Sequence, residues 1–170
     1  MNCTYYEEKL NNVIMKCPIE FGVEILVYNL LDYTMDSSSL ALIDVNSIWG
    51  KKDKRLEVNG VVPDIAVLSN DFIFGTKCGA PYGFIEVKST SKKLYKTKQI
   101  IKEKGGTKHF IYTNGLTWMY FQNGVMKWEI TIACLDEHDC KFIIEPKTVS
   151  VDSDRFDLLI DKLRKIDWSG

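Results

Sequence analysis

The stretch from Val61 to Ser89 constrains this 170-residue chain more than any other. Pro63-Asp64 heads the apolar run Ile65-Ala66-Val67-Leu68, and after a turn-rich interval with Gly75, Gly79 and Pro81 comes Phe84-Ile85-Glu86-Val87-Lys88. Side chains alternate across a strand, so Ile85 and Val87 face one way while Glu86 and Lys88 face the other. Hairpin-like pairing of the two segments brings Asp64 to the face of Glu86. Neighbouring carboxylates repel, and a divalent cation with hard oxygen ligands resolves the repulsion. The Lys88 ammonium then lies beside a metal-held water or the phosphate it attacks. Each half alone also has an ordinary explanation: Pro-Asp makes turns, and Glu-x-Lys decorates solvated strand faces.

Together and in this order, Pro63-Asp64 and Glu86-Val87-Lys88 resemble the two halves of the PD-(D/E)XK nuclease motif. Thr113-Asn114-Gly115 followed by Trp118 resembles the segment after the catalytic strand in the N-terminal nuclease domains of type I restriction enzyme motor subunits. The resemblance covers residues 17–121 and leaves 122–170 as a C-terminal hairpin, strand and helix. It implies a restriction-endonuclease-like α/β fold and metal-dependent hydrolysis of DNA phosphodiester bonds, as an endonuclease or exonuclease. Mg²⁺ or Mn²⁺ would be held by Asp64, Glu86, the Val87 carbonyl and a glutamate on the helix before the sheet, with Glu20 standing where that glutamate would be. Lys88 would orient or deprotonate the attacking water, or offset developing charge. Gln99 would orient groups at the scissile phosphate, as glutamines on the helix after this strand do in several such nucleases. A non-catalytic nucleic-acid-binding or regulatory protein on the same fold is the alternative.

The residues themselves rank the helix glutamates. Thr4 and Glu7 form a capping-box signature, and Leu10, Val13 and Ile14 give an opening helix its apolar stripe to about Met15. Pro18 restarts the chain, and Val23, Leu26, Val27 and Leu30 form a narrow buried arc. On a helical wheel Glu20 falls at the edge of that arc and Glu24 further toward solvent, which favours Glu20. An acid in a first turn is also favoured by the helix dipole without any catalytic role.

At 45% apolar the chain has a core's worth of side chains for a single domain over residues 1–170, and no stretch is long enough to span a membrane. The first residues lack a basic region followed by an apolar run, and five cysteines without a Cys-x-x-Cys pair suit reduced thiols, so a cytoplasmic protein is expected. The net charge of −1 argues weakly against a nucleic-acid partner, but from Lys88 to Lys108 eight lysines face a single acid, Glu103. Lys92 and Lys96 would share one helix face with Gln99 and hold the DNA backbone; RNA stays open as a substrate. No feature reads base edges, so little sequence specificity is expected. A homodimer and a larger restriction or phage assembly both stay open. His138, among the acids of residues 136–139, reads as a solvated turn.

The expected order is two helices, three strands, a helix over about Lys92 to Lys104, a strand, a hairpin, a short strand at Phe142-Ile143-Ile144 and a closing helix. This is a mixed sheet flanked by helices on both sides, with a parallel crossover between the Glu86 strand and the His109 strand.

Overall fold

The computed structural model describes residues 1–16, 18–45, 53–94, 105–135 and 148–170. Helix α1 (Cys3–Lys16) and helix α2 (Glu20–Thr34) open the chain. Among the described residues six strands follow: β1 (Leu40–Asp44), β2 (Ile65–Ser69), β3 (Pro81–Val87), β4 (His109–Thr113), β5 (Thr117–Gln122) and β6 (Val125–Thr131). Helix α3 (Ser153–Arg164) comes after them. The strands form one sheet in sequential order, antiparallel throughout except for β3 beside β4, which are parallel as expected.

Strict alternation divides the sheet into two faces. Ile65, Val67, Ile85, Val87, Ile111 and Tyr120 pack against all three described helices, in one core with Tyr6, Leu10, Val27, Leu30, Phe156 and Leu159. The opposite residues, Ala66, Leu68, Phe84, Phe110, Tyr112 and Phe121, make a second, smaller core with Val45, Leu56 and Val58. Among the described residues this second face is covered by a single 3₁₀ turn, Lys54–Leu56, and by irregular segments rather than by an α-helix. The expected helix over Lys92–Lys104 would lie between β3 and β4. Its first three residues are not helical, and residues 95–104 lie outside the described residues, as does the strand expected at Phe142–Ile144.

One local expectation is corrected. The capping partner of α1 is Asn2, whose Oδ1 accepts the N–H of Tyr5 at 2.9 Å. Glu7 instead spans the sequence to accept the N–H of Val151 at 2.7 Å, tying α1 to the approach to α3. Strand β2 begins only after Pro63-Asp64, where a missing ladder donor does no harm, and its pairing with β3 shifts register further along, between Val67 and Leu68.

Helices α1 and α2 are both fixed against the C-terminal end of β4. Tyr6 donates its hydroxyl to the carbonyl of Gly115 at 2.8 Å, and Gly115, at φ +81°, sits so close to α2 that a Cβ there would come within 3.0 Å of Val23. Only glycine combines that backbone angle with that approach. The contact brings the first turn of α2 toward the end of the sheet where β3 and β4 terminate.

Candidate active site

Asp64, Glu86, Lys88 and Glu20 converge at that end. The β2–β3 register pairs Ile65 with Ile85, which puts Asp64 opposite Glu86 on the face away from the helices. Both carboxylates are buried, at 6% and 4% exposure. Asp64 Oδ2 accepts the main-chain N–H of Val87 at 2.7 Å. Lys88 follows the last residue of β3, and its own N–H reaches the carbonyl of Thr113. Its Nζ donates to Glu86 Oε1 at 2.6 Å, to the carbonyl of Val87 at 2.8 Å and to Glu20 Oε1 at 3.3 Å.

The electrostatics follow from three acids around one ammonium in a largely desolvated place. Burial, and then the charge of Glu86, push the Asp64 carboxyl up to about 7; the Val87 N–H and Lys88 oppose the shift. For Lys88, burial works against the charge. The hydrogen bond and charge of Glu86, aided by Asp64 and Glu20, outweigh it and hold the ammonium above its ordinary value. The cluster is therefore short of positive charge when its acids are ionised, and an added cation relieves it.

The donor set suits a hard divalent ion: the carboxylates Asp64 and Glu86 and the carbonyl of Val87 are all oxygens. Lys88 Nζ already sits as a cation between two of these donors, which is the observation that the site accepts positive charge. Among the described residues no three His, Cys, Asp or Glu side chains gather tightly enough to hold a metal by themselves, so the carbonyl would have to share in binding.

The sequence reading of the helix glutamates is reversed in burial. Glu24 is the buried one, at 5% exposure, whereas the Glu20 side chain is 38% exposed. The arc of α2 is wider than the wheel allowed, because Leu31, seven residues on from Glu24, also turns inward. Glu20 nonetheless is the glutamate that reaches Lys88. Of the two lysines expected to grip a backbone, Lys92 is exposed near the site, while Lys96 and Gln99 lie outside the described residues.

Asn114 does more than turn the chain between β4 and β5. It is buried, takes the N–H groups of Leu116 and Thr117 on Oδ1, and donates Nδ2 to the carbonyl of Lys92 at 2.8 Å. It thus pins the lysine-bearing segment to the β4–β5 turn. The Asn-Gly signal marks the turn but not this longer reach. A cavity of about 430 Å³ opens from Thr90 across Lys92 and Asn114 to Thr117 and Thr131.

No family model matches this chain, and no curated protein does. Its structure is similar to a chain in the cryo-EM structure of a DrdV–DNA complex, with a TM-score of 0.59, 16% identity and 96% of each chain covered. At that identity the likeness is one of fold. The fold is restriction-endonuclease-like, a mixed six-stranded sheet flanked by helices. No described helix is long and apolar enough to cross a membrane.

Proposed function

We propose that this protein is a metal-dependent nuclease that hydrolyses DNA phosphodiester bonds with little sequence specificity. The observation that carries the reading is the convergence of Asp64, Glu86 and Lys88 at one end of the sheet, two buried carboxylates with an ammonium hydrogen-bonded to one of them. Burying one acid beside another costs stability, and a bound cation, which these oxygens fit, offsets that cost. DNA is the partner in the structure that this fold resembles, which supports DNA as the substrate here.

Asp64, Glu86 and the Val87 carbonyl would hold Mg²⁺ or Mn²⁺. When bound, the ion supplies Lewis-acid stabilisation of phosphate charge and a more acidic water. Lys88 donates hydrogen bonds to the attacking water or to a non-bridging phosphate oxygen, offsetting negative charge as it grows. The N–H of Val87 keeps Asp64 aimed inward. Lys92, with Lys96, would attract the backbone through counterion release, and Gln99 would orient the phosphate.

The deciding experiment incubates labelled linear, circular, branched and single-stranded DNA with Mg²⁺, Mn²⁺ or EDTA. Cleavage that needs the ion and disappears in Asp64→Ala and Lys88→Ala, with folding preserved, is the expected result. Metal-independent binding of DNA with every substrate intact would instead make this a binding protein on a nuclease fold.

A further inference from the structure

The oxygens that a metal would use here are already engaged by the chain's own cation. Lys88 Nζ is 2.6 Å from Glu86 Oε1 and 2.8 Å from the Val87 carbonyl oxygen, two of the donors just assigned to the ion. Its third acceptor differs in kind. Glu20 Oε1 is 3.3 Å away on a separate element, and the Glu20 side chain is 38% exposed against 5% for Glu86. An ammonium and a dication cannot both take the same lone pairs at contact distance, and they repel each other strongly where water is scarce. One must yield. A lysine has four flexible carbons behind its charge, whereas Glu86 is fixed in the interior of the sheet.

Glu20 is well placed to receive what Glu86 and Val87 release. It stands in the first turn of α2, at the solvent side of the cluster, so a lysine swinging outward toward it moves away from Asp64 and Glu86 without losing an ionic partner. The lysine then remains beside the ion at a defined point, instead of drifting into solvent.

We infer that Glu20 is the anchor of Lys88 and not a ligand of the metal: the ammonium closes the metal-free site on Glu86 and Val87, surrenders those oxygens when the ion enters, and keeps Glu20. This rests on the nuclease reading above. It makes Glu20 a positioning residue, acting through Lys88, and makes Lys88 a competitor of the ion as well as its partner in the reaction.

The test follows the lysine ammonium groups by ¹⁵N NMR and Mg²⁺ binding by calorimetry, on the full chain and on Glu20→Gln, Glu86→Gln and Lys88→Met. In the wild type the Lys88 resonance shifts when Mg²⁺ saturates the protein. Glu86→Gln weakens Mg²⁺ binding by about tenfold or more, whereas Glu20→Gln changes it by less than about threefold. In Glu20→Gln the Lys88 resonance broadens through water exchange once Mg²⁺ is bound, and Lys88→Met binds Mg²⁺ more tightly than the wild type. If Glu20→Gln weakens binding as much as Glu86→Gln does, Glu20 is a ligand and the inference is overturned. A Lys88 resonance that stays put at saturation overturns it too, while leaving the nuclease reading standing. Absence of any Mg²⁺ or Mn²⁺ binding by the wild type removes both.

Discussion

Asp64 Oδ2 and the main-chain nitrogen of Val87 are 2.7 Å apart, so the first carboxylate of the site is held by the backbone of the strand that carries the second. Replacing Asp64 by Asn keeps an acceptor for that N–H and removes a charge that Glu86 repels. Replacing it by Ala leaves the N–H buried without its partner, which costs about 1–3 kcal/mol. Urea unfolding should therefore rank Asp64→Asn above Asp64→Ala in stability, and both should lose about a hundredfold or more in metal-dependent cleavage. An Ala variant as stable as the Asn variant would mean that the hydrogen bond contributes nothing.

The same carboxyl makes stability depend on pH. An unfolded aspartate loses its proton near about pH 3.9, whereas folded Asp64 holds it to about 7. Between those values the folded chain binds the extra proton, so Asp64's contribution is present at the acid end and is lost as pH rises through about 7. Metal-free wild type should lose stability relative to Asp64→Asn between about pH 4 and pH 7. Parallel curves for the two proteins would show that Asp64 titrates normally.

His109 slopes the other way. It is fully buried, its Nδ1 lies 2.7 Å from the hydroxyl of Tyr120, and Trp168 packs against its ring. Burial, the largest influence, lowers its proton affinity below the ordinary histidine value. The unfolded chain takes up the proton first as pH falls below about 6.5. Stability is lost on that acid side. A His109→Gln variant should lack this acid-side loss in urea titrations carried out with EDTA, and persistence of the loss would point to another group.

Gly83 makes room for the C-terminal tryptophan. A Cβ at Gly83 would lie 2.5 Å from Trp168 Cζ3 and 2.9 Å from His109 Cβ. Gly83→Ala should cost about 1–3 kcal/mol through overpacking. The penalty should shrink in a Trp168→Ala background, because the main obstacle is gone. Equal penalties in the two backgrounds would assign the strain to His109.

The arrangement of Asp64 and Glu86 was legible because it depends on two short-range rules, alternation along a strand and antiparallel pairing across a turn. The β4–β5 and β5–β6 turns were legible for similar reasons: Asn114-Gly115 and Asn123-Gly124 carry the residues that accept positive φ, and Gly115, Asn123 and Gly124 adopt it. What failed depended on tertiary packing. A wheel assigns one apolar arc, but α2 touches α1, α3 and the sheet at once, which draws Glu24 inward and leaves Phe21 and Ile25 exposed. Likewise, Thr4 and Glu7 look like a self-contained cap until Val151, far along the chain, claims Glu7.

Among the described residues the one parallel pairing, β3 with β4, divides the sheet into two three-stranded meanders, each able to zip up from contacts near in sequence. The charged partners described around Lys88, namely Glu86, Asp64 and Glu20, all precede β4, while Tyr112 pairs with Glu86 across the strands and Thr113 offers its carbonyl to the Lys88 N–H. The candidate site's charges and the strand beside them thereby come from different parts of one polypeptide. The geometry of the charged cluster therefore depends on the seam between the halves, where the Lys88 N–H meets the carbonyl of Thr113.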